Sequence, residues 1–147
     1  MKSKIFLRVS VAILTAVLCP PALLAKELPT LNSAPARAYY AFNTKVYNPR
    51  NMEEIYPMLP KGQILYIKAR TKEQQDNKAK WFRQFYLGRP QITAEVDGVL
   101  HDAPIADLTG YAYKWFNNRW ARVDIFVRMQ SEDNDWKFVS QRYEGQI

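Results

Sequence analysis

The chain carries one histidine, His101, directly before Asp102 and a short way ahead of Asp107. A histidine oriented by a carboxylate could act as a general base. Its context, GVLHDAP, reads instead as a polar loop between strands, and on a strand adjacent side chains point to opposite faces. The acidic cluster Glu132, Asp133 and Asp135 lacks the glycine and the ligand spacing of a calcium loop, so it reads as a solvated hairpin tip. Zinc would need three or four ligands, which one histidine and the single cysteine, Cys19, do not supply. No glycine-rich phosphate loop or serine-nucleophile motif is present. These residue types predict a chain without a cofactor, a metal centre or catalytic residues.

Two other constellations suit contact rather than catalysis. Tyr111, Tyr113, Trp115, Trp120 and Arg122 are of the types enriched at the centres of protein interfaces. The alternative is that they form cross-strand pairs supporting a sheet. Between Lys61 and Arg89, eight basic residues, Lys72, Lys80 and Arg83 among them, face only two acidic ones. Such a face is either simply solvated or matched to an acidic protein, an anionic envelope polymer or a membrane surface. No base-stacking motif accompanies the charge, and nucleic acid is a poor partner for an exported chain.

Export is the expectation set by residues 1–25. Lys2, Lys4 and Arg8 precede an apolar run from Val9 to Leu18, and CPPALLA closes it at Ala25, the pattern of a secretory signal peptide. The run is about half of the roughly 20 residues a membrane span requires, so no stable anchor is expected after cleavage. Leu18 stands where a lipoprotein has a small residue before its cysteine, which argues against lipidation at Cys19. Cleavage after Ala25 would leave 122 of the 147 residues, lower the net charge from +7 to +4 and remove the cysteine. Periplasmic or secreted is the expected location, and the mature part is short enough for one domain.

Residues 26–32 read as a short tether and 33–147 as a single domain. Ser33 and Pro35 start a helix over 35–47, with Ala38, Tyr39, Phe42 and Val46 on one side. Met52 to Leu59 reads as a short second helix bounded by prolines, and Gly62 to Arg70 as a third. Thr71 and Gln74 form a capping-box pattern that opens a helix running to Leu87, with Asp76 and Lys80 placed to pair and Gly88 and Pro90 as its stop. After Pro90 the pattern alternates. Ile92, Ala94 and Val96 form a strand that Asp97-Gly98 should turn.

Asn117-Asn118 predicts a hairpin whose register can be written out. One face pairs Ala112 with Val123, Gly110 with Ile125, Leu108 with Val127 and Ala106 with Met129. The other pairs Trp115 with Trp120, Tyr113 with Arg122, Tyr111 with Asp124 and Asp107 with Arg128. A slip of one residue would mix the two sets. A four-residue loop in SEDND then brings Trp136 and Phe138 to the Met129 side.

Helices followed by an antiparallel meander define an α+β fold. The segments APARAYYAF, NMEEIYPMLP, KWFRQFYLG, TGYAYKWF, RWARVDIFVRM and WKFVSQRY resemble, in order and length, the nuclear transport factor 2-like or cystatin-like superfamily. That resemblance implies a cone of N-terminal helices packed on a curved antiparallel sheet. It also implies a range of roles, from SnoaL-like enzymes to non-catalytic periplasmic domains of secretion systems, so the fold alone does not select one. The apolar hairpin face offers no acid or base for a pocket between helix and sheet. The expectation is a non-catalytic, exported protein-binding module with a protein partner, a second copy of the chain through paired sheet faces being one such partner. It would serve as an accessory of an envelope secretion or conjugation apparatus, or as an immunity-type inhibitor. The alternative is a SnoaL-like enzyme or small-ligand carrier using the cone interior.

Overall fold

A computed structural model describes residues 30–145; the expected signal peptide, Cys19 and most of the expected tether lie outside that range. Among the described residues three α-helices precede four strands, with α1 at Ala34–Val46, α2 at Lys61–Lys68 and α3 at Lys72–Phe82. The strands β1 (Gly88–Leu100), β2 (Ala103–Phe116), β3 (Arg119–Glu132) and β4 (Asp135–Glu144) form one antiparallel meander in the order β1-β2-β3-β4. The α+β class follows directly.

Ser33 caps α1 as expected, its Oγ accepting from the Ala36 N–H at 3.3 Å, and Pro35 sits in the first turn where its missing N–H costs nothing. The inward stripe of α1 is Ala36, Tyr39, Phe42, Asn43 and Val46. Phe42 stacks on Phe138 of β4 with ring centroids 3.8 Å apart, and that contact lies at the middle of the core. Asn43 is the one buried polar side chain among the described residues. It accepts from the Leu87 N–H and donates to the Leu87 carbonyl, both at 2.9 Å, tying the entry of β1 to α1.

The helical expectations need three corrections. Met52 to Leu59 forms two 3₁₀ turns, Met52–Glu54 and Tyr56–Met58, because Pro57 lacks the N–H that would continue an α-helix. Both halves of the capping box at Thr71 and Gln74 are present, but α3 ends at Phe82 and tightens into a 3₁₀ turn over Arg83–Phe85. Gly88 belongs to β1 rather than to the helix stop. Nor does Asp76 pair with Lys80: its carboxylate takes Lys72, 3.0 Å away on the preceding turn.

The expected β2–β3 register holds pair for pair, from Ala106↔Met129 to Trp115↔Trp120. Asn117 and Asn118 both have positive φ, 47° and 59°, as a type I′ turn requires. Met129 also faces Phe138, and the expected four-residue loop tightens by one further pair, Glu132↔Asp135, into a turn at Asp133-Asn134.

The first hairpin departs from expectation. Asp97-Gly98 lies inside the ladder, Gly98 opposite Ile105, and the turn is His101-Asp102 with φ of 49° and 65°. A Cβ on Gly98 would come within 3.3 Å of Ile105 Cγ1, so this glycine makes room for a side chain rather than for a turn. Strand β1 is also bulged twice, between Gly88 and Gln91 and between Ile92 and Ala94. Alternation therefore fails: Ile92 is buried while Val96 is 67% exposed. At the bulge β1 crosses so near β2 that a Cβ on Gly110 would lie 1.9 Å from the Gln91 carbonyl oxygen. The described end of the expected tether is an edge contact. Leu31 N–H donates to the Ile92 carbonyl at 2.7 Å, and Tyr40 Oη accepts from the Ile92 N–H at 3.0 Å.

Candidate functional site

The aromatic constellation selected for contact, with Arg122, lies on the side of the sheet opposite the helices. The period-2 alternation of β2 and β3 sends Ala106, Leu108, Ala112, Val123, Ile125, Val127 and Met129 into the core. The same alternation sends Tyr111, Tyr113, Trp115, Trp120 and Arg122 to the open side. Trp115 and Trp120 face each other across the ladder, ring centroids 5.5 Å apart and edge to face, each about half exposed. The Arg122 guanidinium lies 4.0 Å above the Tyr111 ring, so cation and aromatic form one flat surface. Tyr113 and Trp120 continue into a cleft of about 510 Å³ completed by Tyr86, Gly88 and Arg89. Gly88 permits it: a Cβ there would touch Trp120 Cζ3 at 3.0 Å.

Further along the same side, Arg128 grips Asp107 with two bonds, Nε to Oδ1 at 2.7 Å and Nη2 to Oδ2 at 2.8 Å. Hydrogen bonding to that guanidinium holds the Asp107 carboxyl below the ordinary aspartate range. A carboxylate so satisfied is a poor proton acceptor, which removes it from a base role. His101 and Asp102 are exposed at the tip of the first hairpin, on consecutive turn residues, and assemble no site.

The basic layer is less unified than its charge suggests. Lys72 is engaged by Asp76, whereas Lys80 and Arg83 are exposed and form no ion pair among the described residues; none of the three shares a cavity with the sheet aromatics. The acidic tip is not simply solvated. Glu132 accepts from the Lys61 N–H at the start of α2, Asp133 pairs with Lys61 at 2.5 Å and Asp135 with Lys137 at 2.6 Å. No cluster of three or more metal-ligating side chains occurs among the described residues. No helix among them is long and apolar enough to cross a membrane.

Sequence reasoning missed Lys78. Its ammonium sits 3.4 Å from the Trp81 ring centroid, and the Lys-x-x-Trp spacing on one helix face could have revealed the pair. Comparison of the chain with protein-family models, with curated proteins and with solved structures finds no match.

Proposed function

We propose that this chain is a non-catalytic, exported protein-binding module of the cystatin-like cone type, working in the periplasm through the open face of its sheet. The observation that carries the reading is the Trp115–Trp120 pair. Two tryptophans, 54% and 52% exposed, stand at the end of a hairpin beside Arg122 and a preformed aromatic cleft. Leaving that much aromatic surface in water is unfavourable by roughly 25 cal/mol per Å² unless a partner covers it. An accessory role in an envelope secretion or conjugation apparatus and an immunity-type inhibitor both fit a module of this kind, and a homodimer through two such faces is a third arrangement of the same surface.

The test is Trp115→Ser combined with Trp120→Ser, read by light scattering of the purified protein and by capture from the native envelope. Loss of self-association or of a captured partner is expected. An unchanged oligomeric state together with unchanged capture overturns the reading.

A further inference from the structure

A second cavity lies between the helices and β4 and shares no lining residue with the aromatic cleft. Gln63, Tyr66 and Ile67 line up at helical spacing on α2 and face Lys78, Trp81 and Phe82 on α3. With Phe138 of β4 they enclose about 430 Å³, within the range of small-molecule sites, roughly 300–1,000 Å³. This space is lateral to the packing of α1 on the sheet, which Tyr39, Phe42 and Phe138 fill. An adjoining hollow of about 260 Å³ shares Tyr66, Ile67 and Lys78 and ends at Arg70, whose guanidinium lies 4.6 Å over the Tyr66 ring.

The chemistry of the walls is asymmetric. The floor is apolar and aromatic. The charges are Lys78 and Arg70, and no acidic residue lines either space. No carboxylate lies within ion-pair distance of Lys78 among the described residues. Burial lowers the Lys78 pKa, the mark of an ammonium partly stripped of water without a counter-charge. Gln63, which also lines the space, has an Oε1 that is shielded from solvent and has no hydrogen-bond partner. A cation that lies on the Trp81 ring, 3.4 Å from its centroid, and has no carboxylate partner among the described residues is matched at the mouth of a greasy pocket by a ligand with a negative head and an apolar tail.

We propose that the groove between α2, α3 and β4 binds an anionic amphiphile, its head held by Lys78 with Arg70 beside it and its tail lying on Phe82, Phe85 and Phe138.

Calorimetric titration of the purified protein with decanoate and with decyl phosphate tests this, with 1-decanol as the uncharged chain. Saturable one-to-one binding of at least one anion is expected, and the tighter of the two identifies the head group. Lys78→Met, which keeps the aliphatic stem, should weaken that binding about tenfold or more, the value of a charge-assisted contact. Lys78→Arg should restore much of it, and Lys80→Met on the same helix should leave it unchanged. Thermal melting of each variant establishes that the fold is retained. Absence of saturable binding by either anion, equal affinity for decanol, or equal weakening by Lys80→Met overturns the proposal.

Discussion

The two sides of the β2–β3 hairpin are made of the same backbone and follow opposite rules. On the helix side, small and branched residues are closed off within the core that the helical layer completes, and Ala106, Leu108, Ala112 and Ile125 have no solvent exposure at all. On the open side the residues are larger, yet they are held only by one another, through the Trp115–Trp120 contact, the Arg122–Tyr111 stack and the Asp107–Arg128 fork. Stability therefore concentrates on one side, and the proposed recognition is assigned to the other. Substitutions can separate the two.

The largest effect is expected from Phe42→Ala. It removes one half of the stack with Phe138 and should cost about 3–5 kcal/mol in a denaturant titration. A cost near that of a surface substitution would mean that the helix side is not where stability resides. Asn43→Ala comes next, at about 1–3 kcal/mol, since it leaves both backbone groups of Leu87 unpaired in the interior. Faster hydrogen exchange at the Leu87 amide would locate the damage. The paired tryptophan substitution should cost less than about 1 kcal/mol while removing association. A loss as large as that of Phe42→Ala would make the open side structural and collapse the distinction.

The smallest effect is that of Asp107→Asn, below about 1 kcal/mol at neutral pH because the ion pair is nearly half exposed. Its sign with pH is definite. The Asp107 carboxyl is depressed in the folded state, so its contribution is present above the unfolded aspartate value of about 3.9 and fades as pH falls through the lowered folded value. Melting temperatures of the two proteins should converge in strong acid and separate above it.

How much was legible in the sequence follows the same division. The β2–β3 register could be written out because every alternate residue from Ala106 to Ala112 and from Val123 to Met129 is apolar or glycine, so a one-residue slip would mix the faces, and the Asn117-Asn118 turn selects among the alignments that remain. Strand β1 resisted because its bulges break alternation, and a bulge is a backbone event dictated by neighbours, here by Gly110. Asp97-Gly98 misled because its glycine answers to Ile105 across the ladder. The early end of α3 was hidden by an apolar pattern that continues through Phe85 in a 3₁₀ turn. The aromatic face could be named from alternation alone. The Lys78 groove could not, because its wall is shared among α2, α3 and β4 and no local pattern states which elements meet.

The three tight turns, His101-Asp102, Asn117-Asn118 and Asp133-Asn134, also set an order of events in folding. Each joins neighbouring strands through two residues, so each hairpin can close locally, on the order of 1–10 μs for such a motif. The core obeys a different clock. Its contacts join α1 to β4, as in the hydrogen bond from Tyr39 to Gln141 across 102 positions of chain, and contacts so remote in sequence form late. A chain emerging from its N-terminus can fold its helices and zip its hairpins one by one, but it stays open until the final strand arrives to seal it.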